Sequence, residues 1–186
     1  MTAGRARRNN VQAAGAEFVN ALIEPRSADE SIFTTLARAR ALIEGRAFES
    51  AAGIYRSLLE TDLAAPLRGE ILTNLGAALC LMARGAVGPA AQAQLDEARD
   101  LLVEALPCRQ RRQAPAAWAI TRANLALVHL ARYEATGESG ELLSAHLALD
   151  GVDKTLRRSG EPALQDWVAA IRDDLLELRD RRGKRR

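Results

Sequence analysis

The stretch that decides the fold is Pro115-Ala116-Ala117-Trp118-Ala119-Ile120-Thr121-Arg122-Ala123-Asn124-Leu125-Ala126. Proline at the first turn of a helix gives up an N–H that has no partner there anyway, and alanine and leucine are strong helix formers. The segment therefore opens a helix running to about Ala135, and Thr136-Gly137-Glu138-Ser139-Gly140 supplies the turn after it. Pro66 and Pro162 open the same kind of segment 49 residues before and 47 residues after Pro115. A period of that length marks an internal repeat.

Working outward, a capping box at Ser27-Ala28-Asp29-Glu30 starts a helix from about Ala28 to Glu44, with Gly45 as its stop. Phe48, Ala51, Tyr55, Leu58 and Leu59 then recur at helical spacing and make its antiparallel partner. The second pair is Pro66 to Arg84 and Pro89 to Leu106, divided by Gly85-Ala86-Val87-Gly88 and ended by Pro107. The third is Pro115 to Ala135 and Gly140 to Arg158. A last helix from Pro162 carries Leu164, Trp167, Val168, Ile171, Leu175 and Leu178 on one face, and caps the open end of the stack. Val11 to Ile23 is expected to cap the other end. The expected fold is thus all-α: a short α-solenoid of about three antiparallel helical hairpins with capping helices at both ends. A basic arm over 1–26, a repeat domain over 27–178 and a basic tail over 179–186 divide the chain.

Composition agrees. Of 186 residues, 37 are Ala and 27 are Leu, while aromatic residues make up 4%, so the core is aliphatic and helical. The net charge of +2 hides about +8 on the two ends and about −6 on the body. No apolar run approaches the roughly 18 residues a spanning helix requires, which predicts no membrane insertion. Arg5, Arg7 and Arg8 could pass for the basic start of a signal peptide, but Gln12, Glu17 and Asn20 interrupt the apolar run that such a start needs behind it, so no export is expected. Cys80 and Cys108 have neither disulfide-framework nor zinc-ligand spacing, so the expected location is the cytoplasm.

Aligning the pairs strengthens the repeat. Their first helices hold Thr35-Leu36-Ala37, Asn74-Leu75-Gly76 and Asn124-Leu125-Ala126, a leucine before a small residue each time. Their second helices hold Ala51, Ala98 and Ala145, each followed by apolar residues four and seven positions on: Tyr55 and Leu58, Leu102 and Ala105, Leu149 and Val152. A small residue at a crossing lets two helices approach closely. At these residues the chain resembles the tetratricopeptide repeat family over about residues 28–182. Pro115 to Leu125 with Thr136-Gly137-Glu138 is similar to the longer bacterial variety, although the units here are nearer 40 to 50 residues than the standard 34.

The resemblance implies a protein-binding adaptor whose groove, lined by the first helix of each pair, holds a peptide or partner helix. Counted from the shared motif, the groove would include Thr35, Glu70, Thr73, Asn74, Ala77, Ala123, Asn124 and Leu127. Asn74 and Asn124 carry both donor and acceptor and suit an extended backbone, and they can equally satisfy a neighbouring turn. Family members that clamp a terminal carboxylate place a lysine one turn before such asparagines. Glu70 and Ile120 stand there instead, so no clamp of that kind is expected.

Catalysis, metal and cofactor binding find little support. His129 and His146 lack a His-Glu-x-x-His neighbourhood, and no glycine-rich phosphate loop is present. Trp118 and Trp167, each early in a proline-opened helix, are expected to pack between hairpins. The main rival to the adaptor is nucleic-acid binding by Arg179, Arg181, Arg182, Lys184, Arg185 and Arg186, helped by Arg109, Arg111 and Arg112. No aromatic residue interleaves with those arginines in sequence. Self-association through an incompletely capped end is a further expectation.

Overall fold

In a computed structural model the described residues are 30–84, 86 and 88–183. All regular structure among them is helical, as the composition predicts. The eight helices are α1 (Glu30–Glu44), α2 (Phe48–Leu59), α3 (Ala65–Ala83), α4 (Pro89–Cys108), α5 (Pro115–Thr136), α6 (Ser139–Ala148), α7 (Val152–Ser159) and α8 (Pro162–Gly183). Pro66, Pro89, Pro115 and Pro162 each stand in a first turn, as expected. The Ser27 capping box, the helix expected over 11–23 and the arm over 1–26 lie outside the described residues.

Consecutive helices pack as hairpins, α1 with α2, α3 with α4, and α5 with α6 and α7. The hairpins stack because α3 also packs on α2 and α5, and α5 on α4. Helix α8 lies across α5, α6 and α7, burying Leu164, Trp167, Val168, Ile171 and Leu175, so it closes that end as expected.

The tightest junction is α3 on α4. A Cβ on Gly76 would stand 2.8 Å from Leu102 Cγ and 3.1 Å from the Ala98 carbonyl oxygen. One on Gly69 would stand 2.7 Å from Cys108 Cβ. Two backbones meet where side chains are missing, which is the contact the Leu75-Gly76 pattern predicts. Helix α4 outlasts its expected stop and ends at Cys108, with Pro107 in its last turn. A proline there removes one terminal hydrogen bond without breaking the turns before it.

A larger departure lies in the third pair. The single helix expected over Gly140 to Arg158 is two, α6 and α7, broken at Leu149–Gly151. Gly151 has φ +71°, a left-handed conformation that terminates an α-helix. Its carbonyl accepts hydrogen bonds from Arg111 Nη2 at 3.0 Å and from the Thr155 hydroxyl at 2.8 Å. Leu149 and Val152 are fully buried on either side, so the break is anchored in the core.

Two glycines make opposite predictions. Gly76→Val should destabilise the fold by about 1–3 kcal/mol through overpacking. Gly53 is exposed within α2, and a Cβ there would meet nothing within 4 Å, so Gly53→Ala should stabilise by about 0.5–1 kcal/mol. Thermal unfolding of the two variants beside the parent checks both signs.

Candidate functional site

Residues three and four apart share a helix face. Glu70, Asn74, Ala77 and Leu81 therefore form one line along α3, and Ile120, Asn124, Leu127 and Ala131 one along α5. The groove expected from the sequence would run between these lines. Thr73 and Thr121 join the two helices beside it through hydroxyls 2.9 Å apart, so one donates to the other while the second donates to the carbonyl four residues earlier in its own helix, Gly69 or Ala117.

Seven of the eight expected groove residues are buried, where the sequence reading puts them on an accessible surface. Glu70, Thr73, Asn74, Ala77, Ala123, Asn124 and Leu127 are exposed by 0% to 7%. Thr35 alone is partly exposed, and its hydroxyl donates to the Ser31 carbonyl at 2.8 Å. The two asparagines also differ. Asn124 Nδ2 donates to the Ile120 carbonyl at 3.0 Å, so that carboxamide serves its own helix. Asn74 Nδ2 has no hydrogen-bond partner.

Asn74 belongs to a polar cluster that the sequence reading missed. Arg40 of α1 forms an ion pair with Glu70 through one carboxylate oxygen, while the other, Oε2, is buried without a partner. The Tyr55 hydroxyl of α2 is likewise unpartnered. Burial, with Arg40 opposing and Glu70 assisting, pushes the Tyr55 phenol up to about 12. The Asn74 carboxamide approaches that hydroxyl without the geometry of a hydrogen bond. One signal was available: Glu70 sits in a helix apolar on all sides, and a carboxylate placed there requires a cation from a neighbour.

Other candidates resolve into packing. Among the described residues no group of three or more His, Cys, Asp or Glu is placed to hold a metal ion. His146 is exposed, and His129 Nδ1 meets Glu141 Oε2 at 2.6 Å in a network with Arg132 and Asp96 that joins α4, α5 and α6. Burial pushes the Cys80 thiol up to about 11, far from a reactive thiolate. Trp167 is buried, and half-buried Trp118 packs on the core with the Arg111 and Arg122 guanidiniums 4.9 and 5.5 Å from its ring centre.

The basic groups divide as well. Arg109 is buried and donates to the Ala117 carbonyl, and Arg111 is committed to Thr155 and Gly151. Those two therefore do not extend the expected polyanion patch. Arg179 and Arg181 stand exposed on α8, and Arg181 pairs with Glu177 at 2.5 Å. Helix α8 runs through Arg182, while Lys184, Arg185 and Arg186 lie outside the described residues.

The network around Glu141 predicts an acid limb. Burial alone raises the Glu141 carboxyl, but hydrogen bonds from His129 and Arg132 outweigh it and hold the group below the ordinary glutamate range. A carboxyl depressed on folding adds stability above its unfolded range, and that stability disappears as pH falls through the folded value. Urea unfolding midpoints of the parent should therefore drop on acidification below the ordinary range. Those of Glu141→Gln should start lower and change less over the same window.

Compared with models of known protein families, with curated proteins and with solved structures, the chain matches none.

Proposed function

We propose that this chain is a cytoplasmic, non-catalytic adaptor of the tetratricopeptide-like kind, holding a peptide or helix of a partner protein against the α1–α3–α5 face. The observation that carries the reading is the set of buried, unpaired polar atoms at or beside it: Glu70 Oε2 and Asn74 Nδ2 on α3 and the Tyr55 hydroxyl on α2. All are covered in this structure, so that a partner must open the face to reach them. Each costs about 1–3 kcal/mol when left unsatisfied, and a fold normally removes such groups. A peptide amide offers what they lack, an N–H for the Glu70 carboxylate and a carbonyl for Asn74 Nδ2. The apolar residues beside them, Ala77, Ile120, Leu127 and Ala131, match the aliphatic face of a helix.

Chemistry at this face is recognition. A phenol pushed up to about 12 remains protonated at neutral pH, and proton transfer is most effective from a group that titrates near the working pH. Among the described residues no helix is long and apolar enough to cross a membrane, and the face is directed at a protein ligand.

Asn74→Leu tests the reading, because it removes an unpaired donor at nearly constant volume. We expect the melting temperature to hold or rise, and peptides selected on the full chain from a displayed library to bind the variant at least fivefold more weakly. Binding to the parent should survive high salt, whereas phosphate contacts collapse there. Unchanged peptide affinity in Asn74→Leu, or selection of nucleic acid that releases in salt, would overturn the adaptor.

A further inference from the structure

The seam between α3 and α4 is closed at two steps and open at a third. Gly69, Gly76 and Ala83 lie seven residues apart on one side of α3, and the two glycines bring its backbone against Cys108 and Leu102. At Ala83 the seam widens into a cleft of about 500 Å³, where α3 ends, α4 begins and α5 ends. Small-molecule sites typically measure roughly 300–1,000 Å³. Ala83 of α3, Ala91 and Leu95 of α4 and Ala131 of α5, all buried, form its apolar wall. The space exists because three of these four are alanines; leucines there would fill it.

The rest of the lining carries both signs of charge. Arg84 and Glu134 belong to it, and their ion pair is 3.3 Å long, whereas Arg56–Glu97 and Arg68–Glu104 each close to 2.8 Å. The looser pair is also the drier one, with side chains exposed by 16% and 33%. Each group is therefore partly removed from water without tight contact with the other. A guanidinium keeps further donors, and a carboxylate further lone pairs, after one such contact. The helix ends agree in sign: the start of α4, which no side chain caps, favours an anionic group beside Arg84, and the end of α5 favours a cationic one beside Glu134.

We propose that this cleft binds a free amino acid with a branched aliphatic side chain. Its carboxylate pairs with Arg84, its ammonium with Glu134, and its side chain lies against Ala83, Ala91, Leu95 and Ala131. A protein terminus offers one of those two charges, whereas a free amino acid carries both on one carbon. Apolar burial supplies affinity without direction. The charges supply the selection, because a ligand lacking either one leaves Arg84 or Glu134 desolvated and unmatched. The cleft takes this ligand whether or not the α1–α3–α5 face holds a partner protein.

Titration of the full chain with free leucine, followed by proton–nitrogen NMR, tests this. Leucine should bind with a dissociation constant below about 1 mM, moving the amide signals of 83, 84, 91–95 and 131–135 and leaving those of α1 and α2 in place. N-acetyl-leucine and leucinamide, each lacking one charge, should bind at least tenfold more weakly. Arg84→Gln and Glu134→Gln should each weaken leucine at least tenfold while retaining the circular dichroism of the parent. Ala91→Leu, which fills the cleft, should abolish binding, and Glu134→Gln keeps the test decisive if Ala91→Leu fails to fold. The proposal is overturned if leucine at ten times that concentration moves no signal, if either capped form binds as well as leucine, or if Glu134→Gln binds it undiminished.

Discussion

The structure depends on the approach of α3 to α4, where Gly76 lies against Leu102 and Ala98 and Gly69 against Cys108. Side chains at either position would push the helices apart. With the backbones in contact, α3 becomes the central helix of the stack, bounded by α2, α4 and α5. Enclosure then governs the chemistry of its surroundings. It raises the Tyr55 phenol and the Cys80 thiol far above neutrality, forces Thr73 to share a hydrogen bond with Thr121, and makes Glu70 dependent on Arg40.

Much of this was legible in the sequence because helix starts and close contacts have local signatures. Prolines mark four first turns, and Leu75-Gly76 marks the close crossing of α3 on α4, whereas Ala37 of the matching Leu36-Ala37 pair is exposed. The break between α6 and α7 was missed for a physical reason: Leu149 and Val152 continue the apolar stripe across it, concealing Asp150-Gly151. The partner that holds the Gly151 carbonyl is Arg111, forty residues away, and no local pattern connects them. The candidate site was legible in position and not in state. Spacing places Asn74 and Asn124 alike, yet one is bonded to its own helix and the other is unpaired. The burial of α3 had a signal in Ile71 to Cys80, where apolar and small residues occupy all sides, as in a core helix.

Arginine takes the part that lysine often shares. Arg40, Arg84, Arg132 and Arg172 each reach a carboxylate on another helix, and Arg111, Arg122 and Arg172 also hold carbonyls where α6 gives way to α7. A planar guanidinium with five donors can join a carboxylate and a carbonyl at once, which an ammonium on a flexible stem does poorly. These pairs tie the helices together, whereas Arg179 and Arg181 stand exposed on α8, Arg181 paired with Glu177 of its own helix.

A groove lined only by alanine and leucine would accept any aliphatic helix, since removing apolar area from water is not directional. Selectivity requires something that penalises the wrong occupant. In the adaptor we propose, Glu70 Oε2 and Asn74 Nδ2 would supply it by remaining unpaired beneath a ligand that brings no polar group, because an unsatisfied buried group discriminates more strongly than a missing methylene. The unpaired atoms are a cost to the fold of about 1–3 kcal/mol each, and at position 74, where no ion pair depends on the side chain, a leucine would avoid it.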